Sequence, residues 1–173
     1  GHVALTDFNI ATKLKSGLLK SRSGTYCYMA PEILGDRGYS SSVDWWSLGV
    51  LFYELVYGKR PFPQEDARKL KNAILGETIR FPTQTTVNYS PDCISAVQGF
   101  LERDVTKRLG CGPDGFARIK EHPFFRNIDW DRLERREISP PFVPDADRSN
   151  FDITYDLEEL LLEQNPLEGR PRK

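Results

Sequence analysis

Two short motifs hold carboxylates in places where chemistry is possible. Asp7-Phe8-Asn9 follows an alternating apolar run, and Ala30-Pro31-Glu32 opens an apolar stretch further on. A carboxylate is the hard oxygen ligand that divalent cations take, and equally a good cap for a turn, so neither motif decides anything alone. Between them lies a polar loop carrying Ser21, Ser23 and Thr25, whose hydroxyls are either solvated or open to modification. Asp44-x-Trp46-x-x-Gly49 and Glu54 then sit in one long apolar segment, and Arg108 follows much later. A carboxylate in an apolar helix is costly unless it finds a partner or reaches an edge.

The elements that must position these groups are mostly helical. His2 to Thr6, with Val3 and Leu5 on one face, reads as a strand behind the turn residue Gly1. A strand in that position has its hairpin partner upstream, so the chain is expected to be a piece of something longer. Lys13 to Gly24 reads as a surface loop. A serine cap from Ser40-Ser41-Ser42 and a stop at Gly58 bracket a helix that is apolar all round and therefore expected to be central and buried. Further helices are expected from Glu65 to Leu75, from the Ser90 cap and Pro91 to Arg103, from Phe116 to Glu121 and from Asp129 to Arg136. Ile138 to Asn150 lacks periodicity and reads as an extended tail, and Asp156 to Gln164 as a last, acidic helix. His122, in a His-Pro turn, is expected to be structural, and Trp45, Trp46, Phe124 and Phe125 to be core.

Composition narrows the class. Of 173 residues, 24 are Lys or Arg and 25 Asp or Glu, leaving a net charge of −1. That balance offers no basic field for nucleic acid, although the Gly169 to Lys173 end is locally basic. The longest apolar stretch, Leu48 to Tyr53, is far below the ~20 residues of a spanning helix. Cys27, Cys93 and Cys111 show no CxxC spacing and are expected to be reduced thiols of an intracellular, cytoplasmic protein.

Taken in order, the motifs resemble the C-terminal lobe of a eukaryotic protein kinase, whose D-F-G and A-P-E motifs bound an activation loop. Gly24-Thr25-Tyr26-Cys27-Tyr28-Met29-Ala30-Pro31-Glu32 resembles the G-T-x-x-Y-x-A-P-E of Ser/Thr kinases. Val43 to Gly49, Lys107-Arg108-Leu109-Gly110 and His122-Pro123-Phe124-Phe125 resemble the AGC group. Phe142-Val143-Pro144 with Asn150-Phe151-Asp152 is similar to that group's tail. Asp-Phe-Asn in place of Asp-Phe-Gly, with the acidic Leu-rich end, is similar to the YANK subfamily. The resemblance implies a mainly α fold: a helical bundle around a buried central helix, one strand remnant and an extended C-terminal tail. It implies a kinase domain part over residues 1–125, with an activation segment at 7–32, and a tail over 126–173.

The resemblance also implies roles. Asp7 would hold Mg²⁺, and Asn9, the residue after glycine that best tolerates positive φ, would keep the turn. Thr25 and Glu54 would meet the protein substrate, and Ser21 would be the regulatory phosphosite, with Ser23 as competitor. Glu32 and Arg108 would pair structurally, and Asp44 would hold a catalytic-loop backbone or simply favour the helix dipole. The sequence contains no Gly-rich loop, no Val-Ala-x-Lys and no His-Arg-Asp-x-x-x-x-Asn. No catalytic residue is therefore assigned, and the isolated chain is expected to be inactive. Mg²⁺ and ATP belong to the whole enzyme, none binding this chain tightly, and the partners are a Ser/Thr protein substrate and the kinase N-lobe or a replacement. The rival reading is a non-catalytic interaction module.

Overall fold

Polar residues ahead of proline or apolar turns set most of the helix starts. The computed structural model describes residues 3–14, 17–35, 38–82 and 89–145. A short 3₁₀ turn, Tyr26–Tyr28, leads into α1, Pro31–Leu34. The long α2 spans Ser42–Tyr57 and is followed by α3, Ala67–Gly76, and α4, Pro91–Phe100. Two short helices complete the set, α5 at Gly115–Glu121 and α6 at Trp130–Glu134. Ser90 Oγ accepts from the Cys93 N–H at 3.1 Å, Asp66 from Lys69 at 2.8 Å, and Asp129 from Arg132 at 3.1 Å, each satisfying an orphan first-turn donor. Gly58 ends α2 in the left-handed region at φ 65°, where its N–H donates to the Glu54 carbonyl.

The helices meet around α2. Trp46, Val50 and Tyr53 from α2 pack with Leu70, Ala73 and Ile74 of α3, Val97 of α4, and Ala30 and Leu34 of the α1 region. A second cluster joins Phe100, Leu109 and Ile119, with Trp45 and Phe52 of α2 against it. Arg103, expected inside the fourth helix, lies beyond its end and does something else. Its guanidinium donates to the Ile74, Ala73 and Glu77 carbonyls at 2.8, 3.1 and 2.5 Å, closing the C-terminal turn of α3.

Several expectations are corrected. Of the strand expected at His2 to Thr6, His2 lies outside the described residues, and Val3 to Thr6 form no strand, with Val3 and Leu5 exposed. The β-pairing among the described residues is a single antiparallel bridge, Leu19 to Tyr39. The central helix is not buried all round: Leu48, Leu51 and Leu55, spaced along one face, are exposed, Leu55 by 77%. Ser41 precedes α2 in the helical region and makes no side-chain cap. Phe124 is partly exposed, whereas Trp46 is fully buried. His122 is held in its turn, its Nδ1 accepting from the Phe124 N–H at 3.2 Å. Residues 139–145 form an irregular exposed segment, and the acidic helix expected at 156–164 lies outside the described residues. Among the described residues no helix is long and apolar enough to cross a membrane.

Gly49 shows why the motif residue is glycine. A methyl there would lie 2.8 Å from Phe100 Cβ and 3.0 Å from Leu101 Cδ2, both in the core. Alanine gains about 1 kcal/mol of helix propensity, but overpacking costs about 1–3 kcal/mol. Gly49→Ala should therefore lower stability in urea denaturation, while Gly76→Ala, whose methyl meets nothing within 4 Å beyond its own helix backbone and chain neighbours, should not. A Gly49→Ala protein as stable as its Gly76→Ala counterpart would show that α2 and α4 are not in this contact.

Candidate functional site

The site is hung from one buried cation. The Arg108 side chain is 0% exposed and its fork grips Glu32 at both oxygens, Nη1 to Oε1 at 2.7 Å and Nη2 to Oε2 at 3.0 Å. Nη1 also donates to the Ser42 carbonyl at 2.9 Å and Nε to the Glu102 carbonyl at 2.7 Å. Ser42 Oγ completes the ring by donating to Glu32 Oε1 at 2.9 Å, and the guanidinium lies over the Trp46 ring at 5.3 Å. A bidentate fork suits guanidinium and not ammonium, so arginine is the residue type that can do this. Burial pushes the Glu32 carboxyl up, but Arg108, its own backbone and Ser42 outweigh it and leave it below the ordinary carboxylate value.

This pair ties α1 to the start of α2, and two further bonds tie the segment just before α1. Ser47 Oγ donates to the Tyr28 carbonyl at 2.9 Å. The Tyr28 hydroxyl donates to Glu54 Oε2 at 2.6 Å. That hydrogen bond, together with burial and the Glu54 charge, pushes the Tyr28 hydroxyl up to about 12. Glu54, expected to reach out as an exposed tip, is instead half-buried with its carboxylate held by this phenol.

Above these anchors opens a cavity of about 620 Å³. Asp7, Ser21, Ser23, Thr25 and Asp44 all line it, so groups scattered through the first 44 residues face one space. Thr25 sits extended before the 3₁₀ turn, its carbonyl accepting from the Tyr28 N–H at 3.1 Å. Ser21 is exposed but held by the Tyr39 phenol, which donates to the Ser21 carbonyl at 2.8 Å and lies 3.0 Å from Ser21 Oγ.

Two placements differ from expectation. The left-handed backbone of the Asp7-Phe8-Asn9 turn falls on Asp7, at φ 57°, and not on Asn9. Aspartate tolerates that region through local hydrogen bonding, so the turn does not need Asn9 for its conformation. Asp44, expected to be buried and partnered, is exposed at the start of α2, and its carboxylate accepts no hydrogen bond among the described residues. Partial burial nonetheless raises its pKa. Glu54 lies apart from the cavity lining, as does Arg108. Sequence reasoning missed Tyr39, Ser42 and Ser47. Tyr28 was visible only as a motif letter.

Residues 1–125 match the protein kinase domain family. The chain belongs to the protein kinase family. It is 40% identical over 170 residues to protein kinase C-like 1B of Caenorhabditis elegans, covering 94% of this chain and 24% of that one. It is 40% identical over 160 residues to human ribosomal protein S6 kinase alpha-3, covering 91% of this chain and 21% of that one. The RAC family serine/threonine-protein kinase homolog of Dictyostelium discoideum is 42% identical over 165 residues, with 90% of this chain and 35% of that one covered. Such relatives support placement among AGC-type kinases. The kinase chain thus spans between about a fifth and a third of the length of these curated relatives. Its mainly helical fold is that of a kinase C-lobe.

The kinase anchor has a pH signature. Because the folded Glu32 pKa is depressed, its stabilisation is complete above the ordinary carboxylate pKa of about 4.3 and is lost as pH falls through the lower, folded value. Glu32→Gln should cost about 3 kcal/mol at pH 7, since it leaves Arg108 buried and without its counter-charge. The gap between wild type and Glu32→Gln in urea denaturation should shrink as pH drops below about 4. A gap that is constant or grows in acid would contradict the depressed carboxyl.

Proposed function

We propose that this chain is the substrate-side part of an AGC-type Ser/Thr protein kinase, YANK-like in its Asp-Phe-Asn motif, which moves the γ-phosphate of ATP to protein Ser or Thr. The observation that carries the reading is the common cavity lined by Asp7, Ser21, Thr25 and Asp44. Residues 1–125 form the kinase-domain part, with the activation segment at 7–32, and 126–173 the tail.

The donor set is compatible with Mg²⁺ in one specific way. Among the described residues no three His, Cys, Asp or Glu side chains converge on a metal-sized point. Magnesium typically takes one or two carboxylates and completes its shell with phosphate oxygens and water. The exposed carboxylate of Asp7, at the rim of an open cavity, fits as the single protein ligand that these residues contribute. A Mg²⁺ ion held by Asp7 would supply positive charge to offset that of the phosphates. Thr25 and the turn after it form a wall against which a substrate hydroxyl is oriented. Glu54, fixed by Tyr28, presents a carboxylate to a basic substrate side chain. Ser21 is the regulatory phosphosite, and Glu32 and Arg108 hold the frame.

The chain by itself is inactive, because positioning is most of phosphoryl-transfer catalysis and one metal ligand positions little. A second reading, a protein-interaction module, is favoured by the exposed Leu48, Leu51 and Leu55 along one face of α2. Incubating the chain with Mg-ATP and a basic Ser/Thr peptide should yield no phosphopeptide above background. In a longer protein bearing this chain, Asp7→Ala should cut phosphotransfer by a factor of about 10³ or more, as expected for loss of electrostatic stabilisation in the transition state. A Mg-ATP-dependent signal from the chain alone that Asp7→Ala abolishes would overturn the inactivity. Unchanged activity of the longer Asp7→Ala protein would overturn the metal role.

A further inference from the structure

We propose that Tyr39 is the positioning residue that reads the modification state of Ser21, and that its hydroxyl makes the loop tie a switch. The proposal rests on the reading of Ser21 as the regulatory phosphosite.

Residues 19–21 are tied to Tyr39 by backbone and side chain together. The Leu19 N–H donates to the Tyr39 carbonyl and the Tyr39 N–H to the Leu19 carbonyl, both at 2.9 Å. This is the sole β-bridge among the described residues, and a lone bridge is marginal without further support. The support is the phenol, which donates to the Ser21 carbonyl at 2.8 Å and lies 3.0 Å from Ser21 Oγ.

A proton count orients the second contact. A tyrosine hydroxyl carries one hydrogen, and here it goes to the Ser21 carbonyl. The 3.0 Å contact is therefore a bond that Ser21 Oγ–H donates to Tyr39 Oη. Phosphorylation removes that donor: Oγ–H is exchanged for Oγ–P, the γ-phosphoryl arriving from ATP on the modifying kinase, with ADP and the hydroxyl proton released. Oγ then faces the Tyr39 oxygen as acceptor against acceptor. The phenol can recover a bond only by turning its hydrogen to the phosphate, which abandons the Ser21 carbonyl. Either outcome changes what holds the bridge.

Tyr39 is well placed to pass the change on. It lines the large cavity with Asp7 and Thr25, and it also lines a small one of about 80 Å³ beside Glu32 and Ile33. It thus stands between the proposed phosphosite and the anchored end of the segment. Pocket walls are shared on both sides, so displacing the phenol alters the cavity as well as the loop.

The test is amide hydrogen exchange at Leu19 and Tyr39 in the full chain, read residue by residue, with circular dichroism as the check on folding. Tyr39→Phe and Ser21→Ala should each speed exchange about fivefold, as loss of one net hydrogen bond predicts, while Ser21→Thr keeps the donor and stays within about twofold. Ser21 is exposed, so its variants leave the core intact. Phosphoserine installed at position 21 during synthesis should change exchange about fivefold or more in the Tyr39 protein and by less than about twofold in Tyr39→Phe. Equal effects of phosphoserine in both backgrounds, or unchanged exchange in Tyr39→Phe and Ser21→Ala, would overturn the proposal. Mass spectrometry of the native protein separates the two layers. Phosphate on Ser23 alone overturns the phosphosite reading and with it the switch, and the Tyr39→Phe exchange result then still reports on the tie itself.

Discussion

Arg108 is a full positive charge with no access to water, and the rest of the site depends on how that charge is satisfied. Removing a guanidinium from water costs several kcal/mol, and only good geometry with hydrogen-bonded partners offsets it. Here the fork takes both Glu32 oxygens, the Ser42 and Glu102 carbonyls take two further N–H groups, and Trp46 covers one face. The pair closes 76 residues of chain, joining α1 to the loop after α4 through the start of α2. Once it is made, Ser47 and Glu54 on α2 lie opposite Tyr28, and the segment carrying Thr25 has a fixed end. The site is therefore built from its base upward, with the buried pair as foundation and the exposed loop as its least supported part.

That gradient explains what was legible in the sequence. The helices α2 to α6 were, because their causes are local: Ser90 before Pro91 and Gly58 after an apolar run act within a turn of where they stand, whereas the short α1 was not expected. The Glu32–Arg108 contact was expected from a family resemblance and not from spacing, since nothing in either residue's neighbourhood points across the chain. The strand expected at His2 to Thr6 is not formed by its described part, Val3 to Thr6, for a physical reason. Alternation shows which face a strand would bury but supplies no partner, and a strand without a ladder has no backbone bonds to hold it. The apolar pattern of α2 misled in the other direction. Leu48, Leu51 and Leu55 report a surface suited to burial, and among the described residues nothing lies on it.

The site was legible by residue type and less so by geometry. Asp7, Thr25, Ser21 and Asp44 were singled out from motifs and do share a cavity. The positive φ was assigned to Asn9 because asparagine replaces glycine there, whereas the chain bends one step earlier, at Asp7. Glu54 was expected to need a partner or an edge, and a Tyr28 phenol at 2.6 Å satisfies it and fixes its direction. Tyr39 gave no signal at all. Its role comes from where the fold puts its hydroxyl, and composition or periodicity holds no trace of that.

Glu32 and Arg108 act as one unit, and a double-mutant cycle measures that directly. Glu32→Gln, Arg108→Met and the double variant would be compared with wild type by urea denaturation at pH 7. If the pair is the foundation of the site, the two single losses should be non-additive by about 2–3 kcal/mol, with the double variant little worse than either single one. Losses that add to within about 0.5 kcal/mol would contradict the account, since they would mean that each residue is held by something other than its partner.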